Sequence, residues 1–112
     1  MFYNNKEGEY TRLIDGIYIK TMVHGEKTLT AKFKLEKGSS LPLHSHPHEQ
    51  TGYLVSGRMR FVAGGKTHLA EPGDSWCFAG DMEHSAEVLE DSVVIEVFSP
   101  MREEYLPENL KG

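Results

Sequence analysis

The chain has 112 residues, 38% of them hydrophobic, and carries 12 basic side chains against 17 acidic ones for a formal net charge of −5. That length supports one hydrophobic core, and an acidic chain without basic runs attracts neither nucleic acid nor an anionic membrane, so neither is expected as a partner. Met1-Phe2-Tyr3-Asn4-Asn5-Lys6-Glu7 lacks an apolar signal core and no later stretch is apolar enough to span a bilayer. A soluble protein of the reducing cytoplasm is expected, with the lone Cys77, set between Trp76 and Phe78, as a buried structural thiol.

Along the chain the apolar residues recur with period 2 and glycines punctuate the segments, which is an all-β pattern. Ile17 and Ile19 alternate with polar neighbours, as do Leu29, Ala31, Phe33 and Leu35 before the break at Lys37-Gly38. Tyr53-Leu54-Val55, Ser56-Gly57 and Arg58 to Val62 read as a hairpin, and Gly64-Gly65 turns the chain into Lys66 to Ala70. Pro72-Gly73 makes the next turn, followed by strands at Trp76 to Phe78, His84 to Leu89 and Ser92 to Phe98. Met101 to Leu106 reads as a short helical turn closed by Pro107. Eight or more strands in so short a chain require a barrel or sandwich, and a jelly roll fits.

The chemistry concentrates in Gly38-Ser-Ser-Leu-Pro-Leu-His44-Ser-His46-Pro-His48-Glu49-Gln50, closed by Gly57. If the segment is extended, His44, His46, His48 and Gln50 share one face and Glu49 points the other way. Paired imidazoles at this spacing are metal ligands in β-structure, and His84, after Pro72-Gly73-Asp74, supplies a further one from a second strand. His48, His24 and His68 are read as solvated or structural. Val94, Glu96 and Phe98 share a face of the last apolar run, where a lone carboxylate is costly unless paired or used. Trp76, Phe78 and Phe61 are read as core or subunit-interface residues.

These residues resemble the cupin family. Residues 38–57 look like its first motif and 73–88 like its second, and the resemblance runs from about Phe33 to Tyr105 within a single domain spanning 1–112. Gln50 stands where the family usually has glutamate, and Ala79 where the second motif usually has proline. The fold implied is a single-domain cupin jelly-roll β-barrel. His44, His46, Gln50 and His84, with Glu96, Phe98 and the run Ser99-Pro100-Met101-Arg102-Glu103-Glu104-Tyr105-Leu106, resemble the small pectin-degradation cupins of the KdgF type, whose acidic position is typically aspartate.

The resemblance implies one divalent transition metal, zinc, nickel, iron, manganese or copper, on His44, His46, Gln50 and His84. It implies a sugar-acid substrate, a cyclic 4,5-unsaturated uronate opened to a linear keto acid. Glu96 is then the acid/base group, Arg102 binds the substrate carboxylate and Phe98 packs on the sugar ring. An amide ligand leaves the metal charge uncompensated, which favours Lewis-acid chemistry over oxygen activation. Another metal-cupin enzyme (dioxygenase, decarboxylase or isomerase) and a non-catalytic small-molecule-binding cupin are the alternatives. A homodimer covering exposed apolar edge strands is expected.

Overall fold

The structure is a computed structural model that describes residues 1–5 and 9–110; Lys6, Glu7, Gly8, Lys111 and Gly112, all inside the expected 1–112 domain, lie outside the described residues. Eight antiparallel strands follow one another: β1 (Thr11–Ile14), β2 (Ile17–His24), β3 (Leu29–Leu35), β4 (Ser40–His44), β5 (Glu49–Ala63), β6 (Lys66–Ala70), β7 (Ser75–Phe78) and β8 (His84–Ser99). Two 3-10 turns, Glu103–Tyr105 and Pro107–Asn109, close the described chain, where a single short turn before Pro107 is expected from sequence.

The sheet runs β1-β2-β3-β8-β5-β6, with β4 added on β8 and β7 on β5. The two longest strands form the spine, and each changes partner partway along. β8 pairs β4 over its first residues and β3 from Ser92 to Phe98; β5 pairs β7 from Gln50 to Tyr53 and β6 from Met59 to Ala63. This exchange of partners bends the sheet round one core.

Two expected breaks are therefore continuous strand. Ser56-Gly57 is no hairpin turn: β5 runs through it with register shifts against β8, and Gly57, at φ +96°, forms the kink. A Cβ there would lie 2.2 Å from Ser92 Oγ and 2.4 Å from the Asp91 carbonyl oxygen, so only glycine fits. Likewise His84 to Leu89 and Ser92 to Phe98 are one strand.

The alternating residues behave as their parity requires. Ile17, Ile19, Leu29 and Ala31 are fully buried, and Phe33 and Leu35 nearly so, each large apolar side chain contributing roughly 1.5–3 kcal/mol. Phe61 and Phe78 are in the core, with Trp76 packed against it. Cys77 departs from expectation: on a four-residue strand that turns Trp76 and Phe78 inward it faces out, and its thiol is free and exposed. No helix among the described residues is long and apolar enough to cross a membrane.

Candidate metal centre

His44 ends β4, His46 lies in the following bend, Gln50 is the second residue of β5 and His84 opens β8. The histidine segment is thus not one extended face. His44 meets His84 as its cross-strand partner, and the bend at Ser45 to His48 swings His46 back toward both. The imidazole centroids lie 4.3 Å (His44–His84), 5.2 Å (His46–His84) and 5.8 Å (His44–His46) apart, and one ligand nitrogen from each falls within 4.8 Å of the others.

Each ring is held by a backbone carbonyl on its Nδ1 side: Pro42 O at 2.8 Å for His44, His48 O at 3.0 Å for His46 and Met82 O at 2.8 Å for His84. A carbonyl only accepts, so each Nδ1 carries the proton and each Nε2 a lone pair. Gln50 adds a second acceptor. Its Nε2 donates to Glu96 Oε2, which turns its Oε1 to within 2.7 Å of His46 Nε2. Two lone-pair atoms at that separation, together with a buried His84 Nε2 that has no hydrogen-bond partner, are what adjacent ligands of one cation look like. The residues present fit a divalent metal on three imidazoles and an amide oxygen.

The loop carrying His84 is fixed without a proline at Ala79. The Asp81 N–H donates to His46 O at 2.7 Å, tying it to the histidine bend. Gly80 lies so close that a Cβ would sit 2.5 Å from Pro47 O. Burial holds the His46 and His84 imidazoles below their ordinary pKa, with the Arg102 charge adding to the effect at His46 and, as a smaller cause, at His84. His48 is half-buried beside His46, its Nδ1 unpartnered.

One cavity is lined by His44, Gln50, His84, Glu96, Phe98 and Arg102 and walled on the apolar side by Phe33, Leu41 and Tyr105 among others. Glu96 sits between Ala31 of β3 and Gly52 of β5, two positions with little or no side chain. Enclosure raises its pKa from 4.5 to about 7, against the lowering effect of hydrogen bonds from Gln50 and Trp76 and of the Arg102 charge. Phe98 is 1% exposed and forms a floor: the Arg102 guanidinium lies 5.2 Å above its ring and 4.4 Å from Tyr105. Arg102 pairs with Glu104, Nε to Oε1 at 3.1 Å, although that contact is not aligned as a hydrogen bond.

Six of the seven sequence-derived site residues line this cavity, and the seventh, His46, packs against three of them, Gln50, His84 and Phe98. Sequence reasoning does not single out Tyr105 and Gly52, and it reads Trp76 as core or interface only. The one sequence signal for this group is a glycine inside a strand two residues after Gln50.

The Cupin domain family profile matches residues 31–99, and the chain belongs to the cupin family. Among individual relatives, it is 27% identical to the pectin degradation protein KdgF of Dickeya dadantii (strain 3937) over 94% of this chain and 97% of that one. The structure of KdgF from Halomonas sp. superposes with a TM-score of 0.90 at 31% identity, covering 95% of this chain and 98% of that one. An RmlC-like cupin from Shewanella frigidimarina NCIMB 400 has a TM-score of 0.89 at 24% identity, covering 94% and 95%, and shares the fold. The barrel is a cupin jelly roll, and its likeness to KdgF extends over nearly the whole of both chains.

Proposed function

We propose that this cupin opens cyclic 4,5-unsaturated uronates to linear keto sugar acids. The observation that carries the reading is the direct hydrogen bond from Gln50 Nε2 to Glu96 Oε2, which couples a carboxyl group to the imidazole cluster inside one cavity. A divalent metal held by His44, His46, Gln50 and His84 supplies Lewis acidity to a sugar oxygen or carboxylate.

The chain's own residues do the rest. In the reaction the anomeric hydroxyl loses a proton, the C1–O5 bond breaks, and the ring oxygen takes up a proton to become an enol; the enol then ketonises, gaining a proton at C4 and losing the one on its oxygen. No oxidant is consumed. Glu96, whose pKa enclosure raises from 4.5 to about 7 in the metal-free protein, is the group placed to give and take these protons, a contribution of about 10²–10⁴-fold. Arg102, held over the rings of Phe98 and Tyr105, presents its guanidinium to the substrate carboxylate. Phe98, Phe33 and Leu41 supply apolar walls that exclude water.

The same reading carries a reducing cytoplasm, in which exposed Cys77 stays a thiol. It also carries a homodimer that covers Tyr53, Val55 and Leu69, which are 48%, 44% and 47% exposed. Sedimentation at low micromolar concentration checks the dimer.

The activity test is loss of the unsaturated chromophore of a lyase-generated 4,5-unsaturated uronate with metal-loaded protein, with His84→Ala and without protein. Acceleration that disappears in His84→Ala supports the proposal. A rate equal to the spontaneous one with metal bound rejects it.

A further inference from the structure

Gly52 of β5 lies in register between Trp76 of β7 on one side and Glu96 of β8 on the other. A Cβ at Gly52 would fall 2.3 Å from the Trp76 indole atoms Cε2 and Nε1. The missing side chain is therefore the space in which the indole lies, and it lets Trp76 reach across a whole strand to Glu96, Nε1 to Oε2 at 3.4 Å. Gln50 Nε2 donates to that same oxygen from two residues earlier on β5. Among the described residues both donors that reach this carboxylate meet Oε2, which leaves Oε1 as the oxygen able to exchange a proton with a molecule in the cavity. Phe61, 4.6 Å from Trp76 between ring centroids, and Phe78 at 6.5 Å pack the indole on its other sides, so its direction is set by the core.

We propose that Trp76, seated by Gly52, is a positioning residue of this centre: its indole N–H fixes Oε2 of Glu96, and through Glu96 it fixes the Gln50 amide with its oxygen toward the imidazoles. An indole has a donor and no acceptor, so it selects the orientation in which Glu96 receives. Glu96 so occupied accepts the Gln50 N–H, and the amide cannot flip without losing that bond. The consequence is reciprocal for chemistry and for metal binding: one hydrogen bond orients the acid/base oxygen and the amide ligand together. The part concerning proton transfer rests on the uronate reading above; the part concerning Gln50 does not.

The experiment is a double-mutant cycle on Zn²⁺ affinity, measured by chelator competition for wild type, Trp76→Phe, Glu96→Ala and the double variant, with folding of each checked by circular dichroism. Trp76→Phe keeps the aromatic packing and removes the donor. It should weaken Zn²⁺ about three- to tenfold in the wild-type background and less than twofold once Glu96 is gone, because Trp76 acts through that carboxylate. Equal losses in both backgrounds, or no loss in either, overturn the proposal, since a merely structural indole gives one of those two results. In parallel, Trp76→Phe should lower kcat on the uronate about tenfold with KM changed less than twofold. If the wild-type protein does not accelerate uronate opening, the functional reading fails and the Zn²⁺ cycle still decides the role of Trp76. If it does accelerate and Trp76→Phe matches it in both kcat and Zn²⁺ affinity, the reading stands and the positioning role is overturned.

Discussion

Gln50 and Glu96 form one hydrogen-bonded unit, amide N–H to carboxylate oxygen, in which the amide beside the imidazole cluster and the carboxyl group in the cavity determine each other's orientation. A glutamate in place of Gln50 puts two carboxyl groups in contact, and they share a proton to avoid like-charge repulsion. The introduced carboxylate coordinates as the anion and Glu96 keeps the proton. Gln50→Glu is therefore expected to bind Zn²⁺ at least as tightly as wild type while the rate on an unsaturated uronate falls about 10- to 100-fold. Chelator competition and chromophore loss on the same preparation check both halves, and a variant that binds zinc tightly and works at full speed rejects the coupling.

Glu96 also bears on stability, with a sign fixed by its raised pKa. The unfolded carboxyl ionises near 4.5 and the folded one near 7. Between those values the folded state holds the extra proton, so the metal-free protein loses stability as pH rises through the window and carries the full penalty above it. Glu96→Gln removes the penalty. The variant should match wild type near pH 4 and exceed it by about 1–3 kcal/mol near pH 8, read as a shift in urea midpoint with chelator present. A stability gap independent of pH shows that enclosure of the charge is not its source.

The three imidazoles and His48 separate by experiment. His84→Ala removes a buried nitrogen aimed at the cluster and should weaken Zn²⁺ at least 100-fold and abolish the rise in Tm that added Zn²⁺ produces. His48 serves His46 through its backbone carbonyl, so His48→Ala leaves that contact in place. Its Zn²⁺ response should stay within about threefold of wild type. A loss at His48 comparable to that at His84 makes it a fourth imidazole ligand. Burial lowers the pKa of His46 and His84, so acid should compete with Zn²⁺ for these two imidazoles less than it would for free ones.

Much of this centre was legible in the sequence because strand parity and ligand chemistry act locally. Leu29, Ala31, Phe33 and Leu35 alternate and all are buried, and His44, His46, Gln50 and His84 converge. The misreadings occur where a distant strand decides. Ser56-Gly57 carries a hairpin signal, yet β8 continues pairing on both sides of it and the glycine serves a kink against Asp91 and Ser92. Cys77 looks buried between two aromatics, but parity puts it opposite them. Gly52 and Trp76 gain their meaning only from a three-strand register, β7 to β5 to β8, that no local pattern contains.

Glu104 holds Arg102 by Nε to Oε1 at 3.1 Å and by a guanidinium nitrogen to Oε2 at 3.4 Å. Arg102 is only 12% exposed and braced by Phe98 and Tyr105, whereas Glu104 is 60% exposed. The rings therefore orient the arginine, and Glu104 occupies it as an internal carboxylate; on the uronate reading proposed above, the substrate displaces Glu104. With its carboxylate so exposed, the pair adds little to folding, about 0–1 kcal/mol. Glu104→Gln should leave the Tm unchanged and lower KM about three- to tenfold with kcat retained, because the substrate no longer competes with a tethered anion. Arg102→Lys, which loses the planar fork and the ring stacking, should instead raise KM. An increase in KM for Glu104→Gln reverses the assignment: Glu104 then holds Arg102 in its working position, and the two aromatic rings do not suffice.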